Sequence, residues 1–568
     1  MYCLFSLVSS AAFSQLQPGI LNLGSDNYQS YFFNNFYYDD FSYRFASSPF
    51  IVNSSFGKRV SSPSKSVFCL SDTSLLDSLK ALSNIYLVLG SRKNQALQLE
   101  NLQRIGKSTF LYMNYNSIAS LGFIKNGISR NRTFDFKVSH SSRIYNLNAD
   151  FLFLSNYDAS YGGVTDTVIP SNYSKRDLLQ LDVNLSNDYL KKRFLDIDLK
   201  HQFNLYSSLT GEKQISFSLQ NNYSRYGFLY TGDGYNEFYQ NVFYDSSTTN
   251  DTCGYNWLVN SLGIKTKFNS IQFSLNAINE NFDYQLQDSV YNFNDWSIKA
   301  DFIIDGKQSQ IKGSYSKNIS DNFRRNNTIA KVDFLYRFKN SIINYIEFQS
   351  EYNSTNVPFV YQKQFSNHYV WNLVTNLPIE QLTNVVSVGV GSNLFFKASS
   401  ISYKNRVYLN DEIIPEVSTT SENLHSIQIN YNDTIGKIHF VETAIYNASN
   451  SSSFPVIPIQ SFTRIGYMFN LFKNNLKVEA GISGIYNDAW YATSYSPALD
   501  DFYLQSEKKF GGLTVLNVFA DFKIKSATLF IKVERLNIGW FKENSFIRDG
   551  YLAPPRTVRF GFNWPLTN

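Results

Sequence analysis

From about Ser83 to its last residues the chain repeats one pattern, short runs in which apolar and polar side chains alternate. In the run Phe194 to Lys200, Leu195, Ile197 and Leu199 are separated by Asp196, Asp198 and Lys200. From Gln214 to Gln220, Ile215, Phe217 and Leu219 oppose Ser216, Ser218 and Gln220. Near the C-terminus, Leu516, Val518, Ala520 and Phe522 oppose Asn517, Phe519, Asp521 and Lys523. Ala527, Leu529, Ile531 and Val533 then oppose Thr528, Phe530, Lys532 and Glu534, and Val558, Phe560, Phe562 and Trp564 oppose Thr557, Arg559, Gly561 and Asn563. A period of two sends successive side chains to opposite faces of an extended strand. Each run therefore reads as a strand with one oily and one wet face.

Composition decides what surrounds those faces. Lys, Arg, Asp and Glu supply only 17% of 568 residues, against about a quarter in an average soluble domain. Aromatic residues supply another 17%, led by 49 Phe and 40 Tyr. Mean hydropathy is −0.26 and, after the first 15 residues, no run of about 20 apolar residues occurs, which excludes a bundle of membrane helices. A barrel remains, because each of its strands hides only every second residue in lipid. No long amphipathic helix and no linker of Gly, Pro or charge interrupts the alternating runs. In hydrocarbon an open sheet edge leaves backbone groups unpaired at several kcal/mol each, so the sheet has to close. The predicted fold is all-β, a closed antiparallel transmembrane β-barrel. At about 20 to 25 residues per strand and connection it has roughly 20 strands, within a range of about 16 to 24.

The expected organisation has three parts. Residues 1–14 are apolar, end in small residues and read as the remnant of an export signal, although the usual basic start is absent. Residues 15–80 are irregular and Ser-rich, with the aromatic cluster Tyr31 to Tyr38, and read as an N-terminal periplasmic or plug-like segment. Within it Leu75, Leu76, Leu79 and Leu82 are spaced for a short helix over Ser74 to Ser83. Residues 81–568 are the barrel. Longer polar stretches, Tyr157 to Arg176, Gly232 to Asn256, Asn410 to Asn423 and Asn447 to Pro458, are candidate extracellular loops. Tyr235 and Tyr239 in the second are candidates to fold over the mouth. Cys3 lies in the leader, and the spacing of Cys69 and Cys253 leaves open whether they are bonded.

Two regions resemble a known family. The first runs from Ile85-Tyr-Leu-Val-Leu-Gly-Ser-Arg-Lys-Asn-Gln95 through Asn114-Tyr-Asn-Ser-Ile-Ala-Ser-Leu-Gly-Phe123 to Asn156-Tyr-Asp-Ala-Ser-Tyr-Gly-Gly163. The second comprises Tyr495-Ser-Pro, Phe502-Tyr-Leu-Gln505, Phe510-Gly-Gly, Val518 to Lys525 and the closing run Gly550 to Trp564. In this order they resemble the "Putative porin" family of the Bacteroidota, outer-membrane β-barrels. The resemblance implies a diffusion channel in the cell outer membrane and does not name a solute.

Chemistry of other kinds finds no support. His140, His201, His368, His425 and His439 have no Gly-x-Ser-x-Gly partner, and no His-Glu-x-x-His occurs, so no catalytic residues are expected. No metal site and no cofactor is expected either. Net charge is +5 without a basic block, which argues against nucleic acid as a partner. The expected function is a porin that passes small hydrophilic solutes by diffusion. Candidate lumen-lining residues are Asp196, Asp198, Lys200, Ser216, Ser218, Lys299, Asp301, Asp521, Lys523, Lys532, Glu534 and Arg559. Candidate lipid-facing residues are Leu195, Ile197, Leu199, Val518, Leu529, Ile531, Val558, Phe560, Phe562 and Trp564. Mixed charge on the first set implies a modest field, with sorting mainly by width. Expected partners are membrane lipid and lipopolysaccharide outside, the solutes inside, and accessory outer-membrane proteins in an alternative role as a structural subunit. A hydrophobic-substrate transporter is the other alternative, and would need an apolar lumen. A single barrel is the expected working unit.

Overall fold

The computed structural model describes residues 81–165, 175–208, 213–239, 241–323, 327–373, 377–538, 540, 546–553 and 555–567. Twenty-two strands form one antiparallel sheet. The first half comprises β1 (Ala81–Gly90), β2 (Gln95–Ile105), β3 (Thr109–Ser120), β4 (Ser129–Ser141), β5 (Tyr145–Ala159), β6 (Tyr189–Ser207), β7 (Lys213–Asp233), β8 (Thr248–Phe268), β9 (Ile271–Leu286), β10 (Ser289–Asp305) and β11 (Ser309–Asn318). The second half comprises β12 (Thr328–Arg337), β13 (Ile343–Thr355), β14 (Ile379–Val390), β15 (Leu394–Lys404), β16 (Glu422–Ile435), β17 (Ile438–Ser449), β18 (Ile459–Leu471), β19 (Leu476–Asn487), β20 (Leu513–Ile524), β21 (Ala527–Glu534) and β22 (Thr557–Thr567). Each strand pairs with its neighbours in sequence. The sheet closes where β1 meets β22, in a register running from Leu82 opposite Thr567 to Gly90 opposite Arg559. The barrel expected from alternation is the observed fold.

Connections at the two ends differ in kind. At the end that holds Ala81 and Thr567, neighbouring strands are joined by tight turns such as Asn269-Ser270 and Lys525-Ser526. Asn269 and Lys525 adopt positive φ of 52° and 53°, the conformation that two-residue hairpins demand. At the other end run longer segments, 160–188, 234–247, 356–378, 405–421, 488–512 and 535–556. Three of these, 356–378, 488–512 and 535–556, were not among the loops expected from sequence. They carry short strands of their own, Lys363–Phe365, Val370–Asn372, Ser494–Ser496 and Asp501–Tyr503, and so share the two-residue period of the wall. The expected loop Gly232 to Asn256 is shorter than read, because β7 and β8 pair out to Asp233 and Thr248. The expected helix over Ser74 to Ser83 fails at its end, where Ala81, Leu82 and Ser83 begin β1; its first residues lie outside the described set.

Side chains on the wall sort by face. Leu199, Val518, Leu529, Ile531, Val558, Phe560 and Trp564 are exposed, and Leu195, Ile197 and Phe562 on the same faces are partly so. Exposed Ile264, Phe273, Leu275, Ile298, Phe302, Val386, Ile427 and Ile482 extend that apolar outer surface around the circumference. In water so much exposed apolar area would drive association, whereas against lipid it is the matching surface. Ile531→Arg at mid-height is expected to lower refolding stability in lipid vesicles by about 2–4 kcal/mol, while Ser218→Arg on the other face changes it little. Denaturant titration followed by tryptophan fluorescence measures both, and equal losses would reverse the assignment of faces.

Candidate functional site: the inner wall and its cap

The inner face is polar because strand spacing pairs its charges. Residues two apart in a strand stand side by side on one face, and the inner wall uses this spacing repeatedly. Lys200 meets Asp198 at 2.7 Å, Lys299 meets Asp301 at 3.1 Å, and Lys532 meets Glu534 at 3.5 Å. Asp135 with Lys137 and Lys331 with Asp333 repeat the arrangement at 3.7 and 3.9 Å. Each pair cancels most of its own field, so the wall is strongly hydrophilic without being strongly of one sign.

The residues singled out from sequence as lining candidates fall into three groups. On β6 and β7, Asp196 accepts hydrogen bonds from Asn222 at 3.0 Å and Ser224 at 2.5 Å, Asp198 accepts one from Gln220 at 2.8 Å, and Ser216 donates to Asn204 at 3.1 Å. Ser218 is partly buried on the same face. Lys299 and Asp301 form the second group, on β10. The third joins β20 to β22, where Arg559 donates to Glu534 at 2.5 Å and Lys532, Glu534 and Arg559 are buried, with Asp521 and Lys523 partly buried nearby. The three groups occupy separate arcs and do not converge on one cluster.

A shared charge on the inner wall, Arg464, was not legible in sequence. Arg464 on β18 is 1% exposed, lies 2.9 Å from Glu479 and 3.0 Å from Asp521, and stacks over Phe519 at 3.5 Å. His439 shares Glu479 at 2.9 Å. Arg464 sits in the run Phe462-Thr-Arg-Ile465, where an inward Phe interrupts the polar alternation and hides the register. Replacing Arg464 with Gln leaves two half-buried carboxylates on neighbouring strands without their shared cation and is expected to cost about 1–3 kcal/mol. Adding Glu479→Gln and Asp521→Asn should recover much of that in the same refolding assay.

At the long-loop end, inward-folded loops pack against one another and against the wall. Segment 488–512, which leaves the wall between β19 and β20, crosses to the far side: its Asp500 forms an ion pair with Lys192 on β6. Tyr361 donates to Asp501 at 2.7 Å, Ser496 donates to Tyr369 at 3.0 Å, and Leu409 pairs in parallel with Tyr503. Residues 492–499 are buried throughout. The hairpin 363–372 docks beside them. Asn367 donates to the Thr249 hydroxyl at 2.9 Å and to the Asp245 carbonyl at 2.8 Å, and its own backbone N–H donates to Asp251 at 2.9 Å. His368 lies flat on Tyr239, ring centroids 3.9 Å apart, with its ring nitrogens 2.9 Å from the Thr249 hydroxyl and 3.0 Å from the Asn241 carbonyl oxygen. Tyr239 shares a hydrogen bond with Tyr230 at 2.7 Å, and Tyr230 donates to Asp188. Of the two tyrosines expected over the mouth, Tyr239 is buried in this cluster and Tyr235 is exposed.

Aromatic packing extends the cap to the wall. Phe359 contacts Tyr284, Tyr291, Phe293 and Phe323, with centroids 4.6 to 5.9 Å apart. Cys253 is buried within the same cluster, and Cys69 lies outside the described residues. On the opposite side Tyr551 packs at an angle to Tyr161 and edge-on to Tyr495. There the backbone of Gly163 runs against that of Gly550, with Val164 N–H donating to the Gly550 carbonyl at 2.8 Å. A Cβ on Gly163 would fall 2.9 Å from the Gly550 Cα, and both glycines hold positive φ, so no larger residue fits either position without displacement.

The geometry defines a class: a closed, membrane-type barrel with a charge-paired inner wall and a cap of inward-folded loops. The "Putative porin" family matches residues 30–568, and the chain belongs to that family. Among solved structures the fold is similar to the ferric enterobactin receptor of Pseudomonas aeruginosa, with a TM-score of 0.56 at 9% identity over 86% of this chain and 82% of that one. It is also similar to the FrpB iron transporter of Neisseria meningitidis, with a TM-score of 0.57 at 9% identity over 87% and 83%. At such identity the likeness concerns the fold alone. No curated protein matches the sequence. Among the described residues no group of His, Cys, Asp and Glu is arranged to hold a metal ion.

Two buried groups make the cap sensitive to acid in opposite directions. Burial lowers the pKa of His368 from 6.5, so its contribution to docking is present above that value and is lost as pH falls. Burial pushes the Asp188 carboxyl from 3.8 up to about 6, so its contribution is present below 3.8 and lost as pH rises through about 6. Between pH 7.5 and 5, His368→Gln is therefore expected to remove a loosening of hairpin 363–372, and Asp188→Asn to unmask it. Hydrogen exchange of the hairpin amides reads both effects, and identical pH profiles in the two variants would refute the assignment.

Proposed function

We propose that the protein is an outer-membrane porin held in a capped state, passing small hydrophilic solutes when the loops across its mouth move aside. The observation that carries this reading is the inner wall itself: its Lys–Asp and Lys–Glu pairs make it wettable with little net field, a suitable lining for uncharged and weakly charged solutes. The lumen-lining set is Asp196, Asp198, Lys200, Ser216, Ser218, Lys299, Asp301, Asp521, Lys523, Lys532, Glu534 and Arg559. Lipid and lipopolysaccharide meet the exposed Leu, Ile, Val and Phe of the other face. Family membership and the barrel fold support an outer-membrane location. A polar wall speaks against a hydrophobic-substrate transporter.

One observation favours a second reading. Buried packing across the mouth also suits a closed barrel that serves as a subunit of a larger outer-membrane assembly. Planar-bilayer recording separates the two. The full chain should give small or infrequent steps, and a chain with residues 492–499 replaced by a Gly-Ser stretch should give currents several-fold larger. Silence in both, with a second protein copurifying, is the outcome that favours the assembly subunit.

A further inference from the structure

The outward face of the wall changes character abruptly on one arc. On β4, β5 and β6 the outward residues Phe134, Phe153 and Leu195 stand opposite one another in register, as part of the apolar belt. One step along the same face toward the long loops, the matching row is Arg132, Ser155, Arg193 and, on β7, Gly227. A further step gives Arg130, Tyr157, Lys191 and Leu229, and Arg225 on β7 stands opposite Leu195. Arg130, Arg132 and Arg225 are exposed between buried neighbours, Asn131 and Thr133 on β4 and Ser224 and Tyr226 on β7. Lys192 turns inward to Asp500, which puts Lys191 and the exposed Arg193 on the outer surface with them.

These cations differ from those of the inner wall. Inside, a carboxylate two positions away matches Lys200, Lys299 and Lys532. Outside, none of these four arginines forms an ion pair with a described residue. Lys191 lies over the rings of Tyr189 and Tyr157 at 4.8 and 5.9 Å, and those rings stack with centroids 5.6 Å apart. The exposed carboxylate of Asp283, on β9, stands two strands beyond Arg225 in the register. On another arc of the outward rim Lys404 is matched by Glu380 at 3.7 Å. Gly227 leaves the floor between Arg193 and Arg225 open, since a Cβ there would meet nothing within 4 Å.

Spacing and height both suit a phosphorylated headgroup. Strands lie about 4.8 Å apart, which sets the backbones of Arg132 and Arg193 about 10 Å apart across β5. Arg193 and Arg225 are diagonal neighbours on adjacent strands, about 7–8 Å apart. Arginine side chains span such gaps, and a guanidinium grips phosphate through two parallel hydrogen bonds. The longer loops of an outer-membrane barrel face outside, so a row just above the apolar belt at this end meets the headgroups of the outer leaflet.

We infer that this arc binds the phosphate groups of lipopolysaccharide. Arg132, Arg193 and Arg225 are the phosphate ligands, Arg130 and Lys191 flank them, and Phe134, Phe153 and Leu195 take the acyl chains below. The inference rests on the outer-membrane placement in the reading above and not on conduction.

The test uses the full chain folded in neutral detergent, with three probes: diphosphoryl lipid A, the same lipid with its phosphates removed, and inorganic phosphate. Native mass spectrometry counts the lipid that stays bound. The unaltered chain is expected to hold diphosphoryl lipid A about tenfold more tightly than the dephosphorylated form. A chain carrying Arg132→Gln, Arg193→Gln and Arg225→Gln should bind the two lipids equally, while Lys404→Gln should keep the full preference. Heat-modifiable electrophoretic mobility checks that each barrel is folded. Equal binding of both lipids by the unaltered chain, or a preference that survives the three Gln substitutions, would overturn the inference. Displacement of lipid A by an equal concentration of inorganic phosphate would do so too, assigning the arc to a soluble anion. Lipid retention does not read ion flow, so a silent bilayer recording leaves this result standing, and the reverse also holds.

Discussion

The structure rests on one pairing, β1 with β22. Without it the first and last strands would each present a row of unpaired amides and carbonyls to hydrocarbon, at several kcal/mol per group. With it, a chain whose ends are far apart in sequence becomes a continuous wall, and every inward position acquires two lateral neighbours. Within that continuous wall the Lys–Asp and Lys–Glu pairs form between residues two apart on one strand, each strand matching its own charges on the inner face. Because the strand count is even, both termini of the wall emerge on the same side, opposite the long loops.

Much of this was legible in the sequence, for a definite reason. Alternation such as Leu195-Asp-Ile-Asp-Leu199 reads as a strand, and a membrane barrel is the fold in which twenty-two strands of this kind coexist without a second layer to pack on. What the sequence hid is equally particular. Arg464 follows an inward Phe462, so the polar period is broken at the very residue that binds two carboxylates. Segments 356–378 and 488–512 contain three-residue strands and buried Tyr and Trp that imitate wall strands, and only their contacts with distant strands and loops show that they fold inward. Short elements carry too few periods for the face to be read before the contacts are known.

The combination of a hydrophilic wall and an apolar, aromatic cap divides the molecule into two regimes. Along the wall, charges are matched in pairs and the packing is set by β-register. In the cap, specificity comes from single contacts: His368 flat on Tyr239, Asn367 threaded between Thr249 and Asp251, Tyr361 on Asp501. Loop contacts of this kind open at lower free energy than a sheet held by hydrogen bonds along its whole length.

The contact of Gly163 with Gly550 has a consequence for biogenesis. It ties a loop from the first third of the chain to the last loop before the closing strand, and the central crosspiece 488–512 also comes from the C-terminal fifth. Any route in which strands are added from the N-terminus leaves the vestibule unsealed until the final hairpins arrive. The entrance is thereby closed late in any such route, by loops that immediately precede the closing strand.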